Sequence, residues 1–418
     1  MEKVAVIGQG YVGLPLAMGA VDAGFDVVGI DVDTKRVKQL SNGESFVEDI
    51  PSERLVEAIT TGRYSASTDW QDAAGYDICV ITVPTPLVEG APDLEYVMEA
   101  GRSAAKLLHP GATVILESTT YPGTTDQVLR PLLENASDLT AGVDFHLGYS
   151  PERIDPGNRV WTLGTTPKLV SGIDAPSLER VKGFYDKIVG QTVPVSSTRT
   201  AELAKLLENT FRHVNIALVN EIAMVARDLE TDIWEAVSAA ATKPFGYMPF
   251  TPGPGVGGHC LPIDPSYLSW QAKRKARQEI RMISVANDVN EHMPDYVVRR
   301  ITSGLNRNSL ATKGSRILIL GLAYKKNTGD SRESPALAIA TSLVGMGANV
   351  RAVDPYIDPL KAPDSVECVA LTESEVAHAD AVVIATDHDE FDFDLVARSG
   401  KYIFDTRHRC SGPQVDHL

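Results

Sequence analysis

At 418 residues the chain is too long for one ordinary core, and two or three domains are expected. Its 43% hydrophobic and 22% charged residues exclude a disordered or fibrous chain, and no apolar run reaches the roughly 18 to 20 residues of a membrane span. A formal net charge of -16 excludes an extended nucleic-acid face but not an anionic small molecule, provided that lysines and arginines converge on one cleft.

The chain enters its first predicted strand, Val4–Gly8, with no basic, apolar leader before it, so a cytoplasmic protein is expected. That strand runs straight into Gly8-Gln-Gly10-Tyr11-Val12-Gly13, which opens a helix. The first glycine permits a tight turn, the second lets backbone approach a pyrophosphate, the third lets helix pack on strand, and the helix N-terminus faces the negative charge. Asp31 ends the next strand, Asp26–Asp31, where a carboxylate accepts hydrogen bonds from ribose hydroxyls and repels a 2′-phosphate. NAD is therefore the expected cofactor, with Arg36 tempering the preference slightly. Strands Asp77–Thr82 and Ala112–Glu117 follow. Cys79, inside the first of them, reads as a buried, inert thiol. Thr119 lies at a strand end, where hydroxyls meet nicotinamide and substrate, and Glu152, after another apolar strand, is positioned to direct a hydrolytic water.

A long helix is predicted from about Thr200 to about Leu229. Leu203, Leu207, Phe211, Val214, Leu218, Ile222, Val225 and Leu229 recur on one stripe, with Glu202, Lys205, Asn209 and Arg212 on a roughly opposite one. Such a helix has an apolar face to bury and a polar face to present, and it suits a connector that packs against another subunit. Lys205 and Asn209, four residues apart, project together and are able to hold a developing alkoxide.

The segment Gly253-Pro-Gly255-Val-Gly257-Gly258-His-Cys260 exposes main chain to a ligand and ends on a thiol placed for reaction. A thiolate beside NAD has a specific use. It makes an aldehyde carbon tetrahedral so that a second hydride can leave, and water then releases an acid from the thioester. Asp264 has three roles open to it: orienting the thiol, the lysine or that water. Cys79, Cys260, Cys368 and Cys410 show no CxxC pairing or metal-ligand spacing, so no metal site is expected.

The last third repeats the early pattern in Ile317–Gly321, Ala348–Asp354, Asp380–Ala385 and Tyr402–Asp405. The expected fold is α/β, with two Rossmann-like, doubly wound parallel-sheet domains joined by the long central helix and a helical dimerisation region, divided as 1–195, 196–311 and 312–418. The second α/β half lacks the glycine fingerprint. Lys325, Arg332 and Arg407 each follow a strand there, and three such cations suit a nucleoside diphosphate.

The stretches GQGYVGL, VPTP, ESTTYPGT, SPER, KLLEN, GVGGHC with its following aspartate, and YKKNTGDSRES together resemble the UDP-glucose/GDP-mannose dehydrogenase family over nearly the whole chain. The resemblance implies two-step, NAD-dependent oxidation of a nucleotide hexose at C6, with Cys260, Lys205, Asn209, Glu152 and Asp264 matching the family's catalytic residues. It implies cofactor contacts from Pro84, Thr85, Ser118, Thr119 and Arg332, and substrate contacts from Arg153, Gly257, Lys325 and Arg407. The surroundings of Arg212 and the segment from Ser150 to Asn158 look more like members acting on UDP-N-acetylhexosamines, with the glucosamine form expected first and its mannosamine epimer as competitor. Such products usually feed surface polysaccharides or glycans. A β-hydroxyacid-type dehydrogenase would need neither the loop cysteine nor the second α/β domain, and an idle nucleotide-sugar binder would not need every chemical position filled.

Overall fold

The computed structural model describes residues 1–47, 49–154, 158, 160–258 and 260–418, and of Cys260 and Lys361 the backbone alone. Contacts divide it into two units, Met1–Glu208 with Ser266–Glu279, and Asn209–Pro265 with Ile280–Leu418.

The first unit is built on an eight-stranded sheet in the order Thr192–Pro194, Lys168–Gly172, His146–Tyr149, Thr113–Leu116, Ile78–Ile81, Lys3–Ile7, Asp26–Ile30, Tyr64–Ser67. Val4 pairs in parallel with Val27 on one side and Ile78 on the other, so the strand order reverses beside the first strand. Ligands bind beyond the carboxyl ends of strands at such a reversal. Successive strand residues point to opposite faces. Val4, Val6, Val27, Val80 and Ile115 enter one core, while Ala5, Ile7, Val28, Ile81, Val114 and Leu116 enter the other. Burial on both faces explains why these strands read as unbroken β-branched runs. One pair departs from the parallel expectation: His146–Tyr149 and Lys168–Gly172 run antiparallel.

The second unit holds a six-stranded, wholly parallel sheet in the order Glu367–Cys368, Asn349–Val353, Arg316–Leu320, Ala381–Ile384, Ile403–Asp405, Val415–His417. Its central strands alternate in the same manner between two cores. No helix among the described residues is long and apolar enough to cross a membrane.

The long helix spans Thr198–Ala226, with much of its polar stripe turned inward and its apolar stripe left on the surface of the single chain, as a subunit contact would require. Glu202, Lys205 and Asn209 are buried at 0%, 7% and 6% exposure, whereas Leu203, Leu207, Phe211, Leu218, Ile222 and Val225 are exposed, as is Leu229 just beyond the helix. The polar residues go inside because each finds a partner there. Glu202 accepts the backbone N–H groups of Gly123 (2.5 Å) and Thr125 (2.9 Å) and the Thr125 hydroxyl (2.7 Å). Small or branched residues such as Ala201, Leu206, Ala217, Val219 and Ala223 fill the buried positions between.

Burial pushes the Glu202 carboxyl up to about 7 against the pull of those donors. The folded chain thus keeps a proton that the unfolded chain loses near 4.5, so the contribution of Glu202 to stability declines as pH rises from about 4.5 through about 7. Glu202→Ala strands two buried amides and a hydroxyl, and we expect it to lower unfolding free energy by about 2–5 kcal/mol. Urea unfolding followed by circular dichroism should show a deficit larger on the acid side of that window than above it. An unchanged midpoint would show that the carboxylate does not hold these donors.

Candidate active site

Past Ile7 the chain turns through Gly8 at a φ of 90°, with Gly8 N–H donating to Ile30 O (2.7 Å). A Cβ on Gly13 would lie 1.8 Å from Gly8 O, and one on Gly8 would lie 2.9 Å from Thr82 O, so the protein's own packing demands both glycines. A Cβ on Gly10 would meet nothing within 4 Å. No neighbour in the chain requires glycine there, but a pyrophosphate lying against the backbone would. The helix Gly13–Asp22 starts at this turn with no side-chain cap at Val12, which leaves its first amides suited to an anion, with Tyr11 and Val12 half-buried beside them. The residues present therefore fit a dinucleotide.

Asp31 is 5% exposed. Its Oδ2 accepts Gln9 N–H (2.7 Å) and Arg36 Nη1 (2.9 Å), and its Oδ1 accepts Asp33 N–H (2.9 Å). Arg36 is thus engaged with Asp31, and its guanidinium also lies 5.4 Å from the Phe46 ring centroid. Gln9, which the glycine pattern treats as a free position, is fully buried. It donates to Val6 O (2.9 Å) and accepts the Tyr64 hydroxyl (2.8 Å).

The loops after Ile78–Ile81 and Thr113–Leu116 are tied into one platform. Thr85 Oγ1 donates to Thr119 O (2.8 Å), Ser118 Oγ donates to Val83 O (2.7 Å), and the buried Tyr267 hydroxyl donates to Thr85 O. Pro84 is exposed on it and Thr119 half-buried. The neighbouring Thr120 is fully buried, and its hydroxyl has no hydrogen-bond partner among the described residues, a feature that spacing alone does not reveal.

Lys205 Nζ donates to the Glu152 carbonyl (2.5 Å), and the Glu152 carboxylate accepts Ile154 N–H. Behind Glu152 stand three residues that the sequence reading missed: Glu117 and Lys168, which form a buried ion pair, and Tyr185, whose hydroxyl donates to Glu117 Oε2 (2.6 Å). Arg153 is held by Glu208 (2.8 Å) and by Pro167 O (2.6 Å).

In the second unit, Asn209 Nδ2 donates to Asp264 Oδ2 (2.5 Å), both side chains being buried. Asp264 sits in the first turns of the helix Cys260–Ala276. His259 and the Cys260 side chain lie outside the described residues. The other three thiols are poor nucleophiles because burial raises each of them: Cys79 far up, Cys410 to about 12, and Cys368 to a smaller degree. Gly257 is a packing requirement, since a Cβ there would lie 2.7 Å from Glu333 O, and Gly258 N–H donates to Arg332 O (2.9 Å). The glycine loop is thereby joined to the segment carrying Lys325 and Arg332. Arg332 is exposed and grips Asp330 (2.6 Å), Lys325 is half-buried, Arg407 Nε donates to Ala385 O (2.8 Å), and Arg212 is exposed.

Asp354 ends the second strand of this sheet as Asp31 does in the first, but it is consumed internally. It accepts N–H from Leu322, Ala323, Tyr356 and Ile357, and its Oδ2 lies 3.1 Å from Nε2 of the buried His388. Its carboxylate is thereby occupied by the protein's own donors.

Comparison with known proteins agrees with this division of labour. Three family models of the UDP-glucose/GDP-mannose dehydrogenase family match: the NAD binding domain over residues 2–189, the central domain over 199–292 and the UDP binding domain over 318–411. The chain is 37% identical over 422 residues to a UDP-N-acetyl-D-mannosamine dehydrogenase of Pyrococcus horikoshii, covering 100% of this chain and 98% of the relative. It is 35% identical over 392 residues to a UDP-N-acetyl-D-glucosamine 6-dehydrogenase of Salmonella typhi, covering 93% and 90%. A solved UDP-D-ManNAc dehydrogenase structure from Pyrococcus horikoshii superimposes with a TM-score of 0.90 at 34% identity, covering 100% of this chain and 99% of that one.

The Arg36–Asp31 pair generates a test of cofactor choice. Asp31→Ser removes the repulsive carboxylate and at the same time releases Arg36 toward a 2′-phosphate. The preference for NAD over NADP, measured as a ratio of kcat/KM, should fall by roughly one to two powers of ten. An undiminished ratio would mean that neither residue reads the ribose.

Proposed function

The chain belongs to the UDP-glucose/GDP-mannose dehydrogenase family and is an NAD-dependent nucleotide-sugar dehydrogenase, and from that premise we propose that it oxidises C6 of a UDP-N-acetylhexosamine from alcohol to carboxylate in four electrons. The observation carrying the sugar class is the full-length likeness to enzymes named for two C2 epimers of that sugar at nearly equal identity, 37% and 35%. UDP-N-acetylglucosamine and UDP-N-acetylmannosamine are accordingly the two substrates to assay first.

NAD, when bound, accepts one hydride in each oxidation. The residues of the chain do the rest. Lys205 and Asn209 stabilise the developing alkoxide. The Cys260 thiolate adds to the aldehyde, giving a thiohemiacetal whose second hydride leaves a thioester. Glu152 takes a proton from the water that cleaves it, and Asp264, bonded to Asn209, holds that carboxamide in orientation. Thr119, with the buried hydroxyl of Thr120, meets the reacting end, and Arg153 and Gly257 support the sugar. Lys325 and Arg407 neutralise the diphosphate, Arg332 assists the cofactor beside Pro84, Thr85 and Ser118, and Arg212 donates to the acetamido carbonyl. The division into 1–195, 196–311 and 312–418 follows these roles. The exposed apolar stripe from Leu203 to Leu229 supports assembly into a homodimer, since a symmetric contact buries such a stripe against its own copy. A cytoplasmic enzyme supplying uronic acid for surface polysaccharide or glycan synthesis is the cellular reading.

Cys260→Ser should end acid production while leaving NAD and nucleotide-sugar binding within a few-fold, because an unactivated hydroxyl is a far weaker nucleophile. Product mass and NADH yield decide the point, as the wild type should give two NADH per sugar. A variant still giving two NADH at the wild-type rate would remove the covalent mechanism.

Arg212→Ala should lower kcat/KM on the acetylated UDP-sugars by roughly tenfold to a hundredfold and on UDP-glucose much less. Equal losses on both would remove Arg212 from sugar recognition. Light scattering should give at least a dimer, and a fully active monomer would refute the assembly.

A further inference from the structure

Glu117, Glu152, Lys168 and Tyr185 form a buried ionisable cluster at the strand ends of the first sheet. Lys168 is 3% exposed and pairs with Glu117 Oε1, and its Nζ lies 3.6 Å from Glu152 Oε2. Glu117, at 0% exposure, is fixed on its other oxygen by the Tyr185 hydroxyl (2.6 Å), and Lys168 Nζ lies 5.1 Å from the Tyr185 ring centroid. Glu152 is held through Oε1 by Ile154 N–H, while its Oε2 is buried with no hydrogen-bond partner among the described residues.

A buried ion pair is a poor stabilising device, because apolar residues of the same shape serve as well or better. Its retention beside a carboxylate with one unsatisfied oxygen calls for another purpose. We propose that Lys168, anchored by Glu117 and Tyr185, is the positioning residue that keeps Glu152 ionised and aimed for thioester hydrolysis. The inference rests on the role given to Glu152 above. In that step the Glu152 carboxylate takes a proton from water as the water oxygen bonds to the thioester carbonyl carbon. The C–S bond then breaks with its electron pair leaving on sulfur, and the product acid ionises.

The charged groups facing Glu152 are Lys168 at the start of Lys168–Gly172, Glu117 just past the end of Thr113–Leu116 and Lys205 from the long helix. Burial opposes charge on both carboxylates. It raises Glu117 above the ordinary range, whereas Lys168, the Ile154 N–H and Lys205 outweigh it at Glu152 and hold that group below.

Three variants test this: Lys168→Met/Glu117→Gln, which removes the pair together, Lys168→Arg, which keeps the charge, and Glu152→Gln. Intact-protein mass spectrometry during turnover reads the covalent adduct, and kcat against pH reads the ionisation. In the double variant the two hydride transfers should stay within about threefold. Adduct should accumulate as hydrolysis slows roughly tenfold or more, and the acid limb of kcat should move up by about one pH unit. Lys168→Arg should restore the wild-type limb. An unmoved limb without adduct in a stably folded double variant overturns the proposal, as does a double variant that cannot fold beside a fully active Lys168→Arg. Normal hydrolysis by Glu152→Gln would instead overturn the assignment of Glu152 itself, which keeps the two failures apart.

Discussion

A polar side chain can be buried only where its hydrogen-bonding capacity is met, and that constraint turns the helix Thr198–Ala226 over. Glu202, Lys205 and Asn209 face inward, each against a specific partner: two amides and a hydroxyl, a carbonyl, and a carboxylate. With the interior face committed to polar contacts, the leucines of the opposite stripe have no place inside and are left exposed. One choice thus sets two properties. It holds an ammonium ion and a carboxamide each on its own partner, and it leaves the apolar surface that an assembly would cover.

The two α/β halves differ by the same accounting of donors and acceptors. Both end their second strand on an aspartate. Asp31 takes two backbone amides and a guanidinium, and it stands beside a glycine turn whose middle glycine faces no neighbour. Asp354 takes four backbone amides and faces a buried imidazole. The two carboxylates serve different neighbours, although the strands carrying them look alike. A repeated fold therefore does not repeat its site, because the ligand is selected by which polar groups the loops leave over.

Much of this architecture was legible in the sequence because it depends on local pattern. Strands such as Lys3–Ile7, Asp26–Ile30, Arg316–Leu320 and Ala381–Ile384 fall within a residue or two of their β-branched runs, and the glycine turn declares itself by spacing. Short or polar strands, including Lys168–Gly172, Thr192–Pro194 and Glu367–Cys368, carry no such period and were missed. Which face of the long helix turns into the chain is not legible for a related reason. Periodicity separates two stripes but does not say which goes inside, since that depends on partners such as Gly123 and Thr125, some eighty residues away in the chain. Lys168 is the extreme case. Nothing around it in Thr-Pro-Lys-Leu-Val marks a buried charge, and only the antiparallel pairing with His146–Tyr149 brings its strand beside the loop of Glu152.

That antiparallel pair also explains how the first sheet tolerates so much buried charge. A parallel strand would have needed a crossover to return, whereas Lys168–Gly172 runs against His146–Tyr149 and starts where that strand ends, next to Glu152. Lys168 is the first residue of its strand and Glu117 the first after Thr113–Leu116, so both ionisable groups sit at the end of the sheet rather than in its body. Loops supply free amides such as Ile154 N–H, and helices do not, because their interior amides are already bonded. The cluster is held by its own side chains, Glu117 on Lys168 and on the Tyr185 hydroxyl, with main chain adding Ile154 N–H and the Glu152 carbonyl. Ligands of such sheets bind beyond the strand ends, so the residues suited to handling protons lie where a substrate would arrive rather than in the body of the sheet.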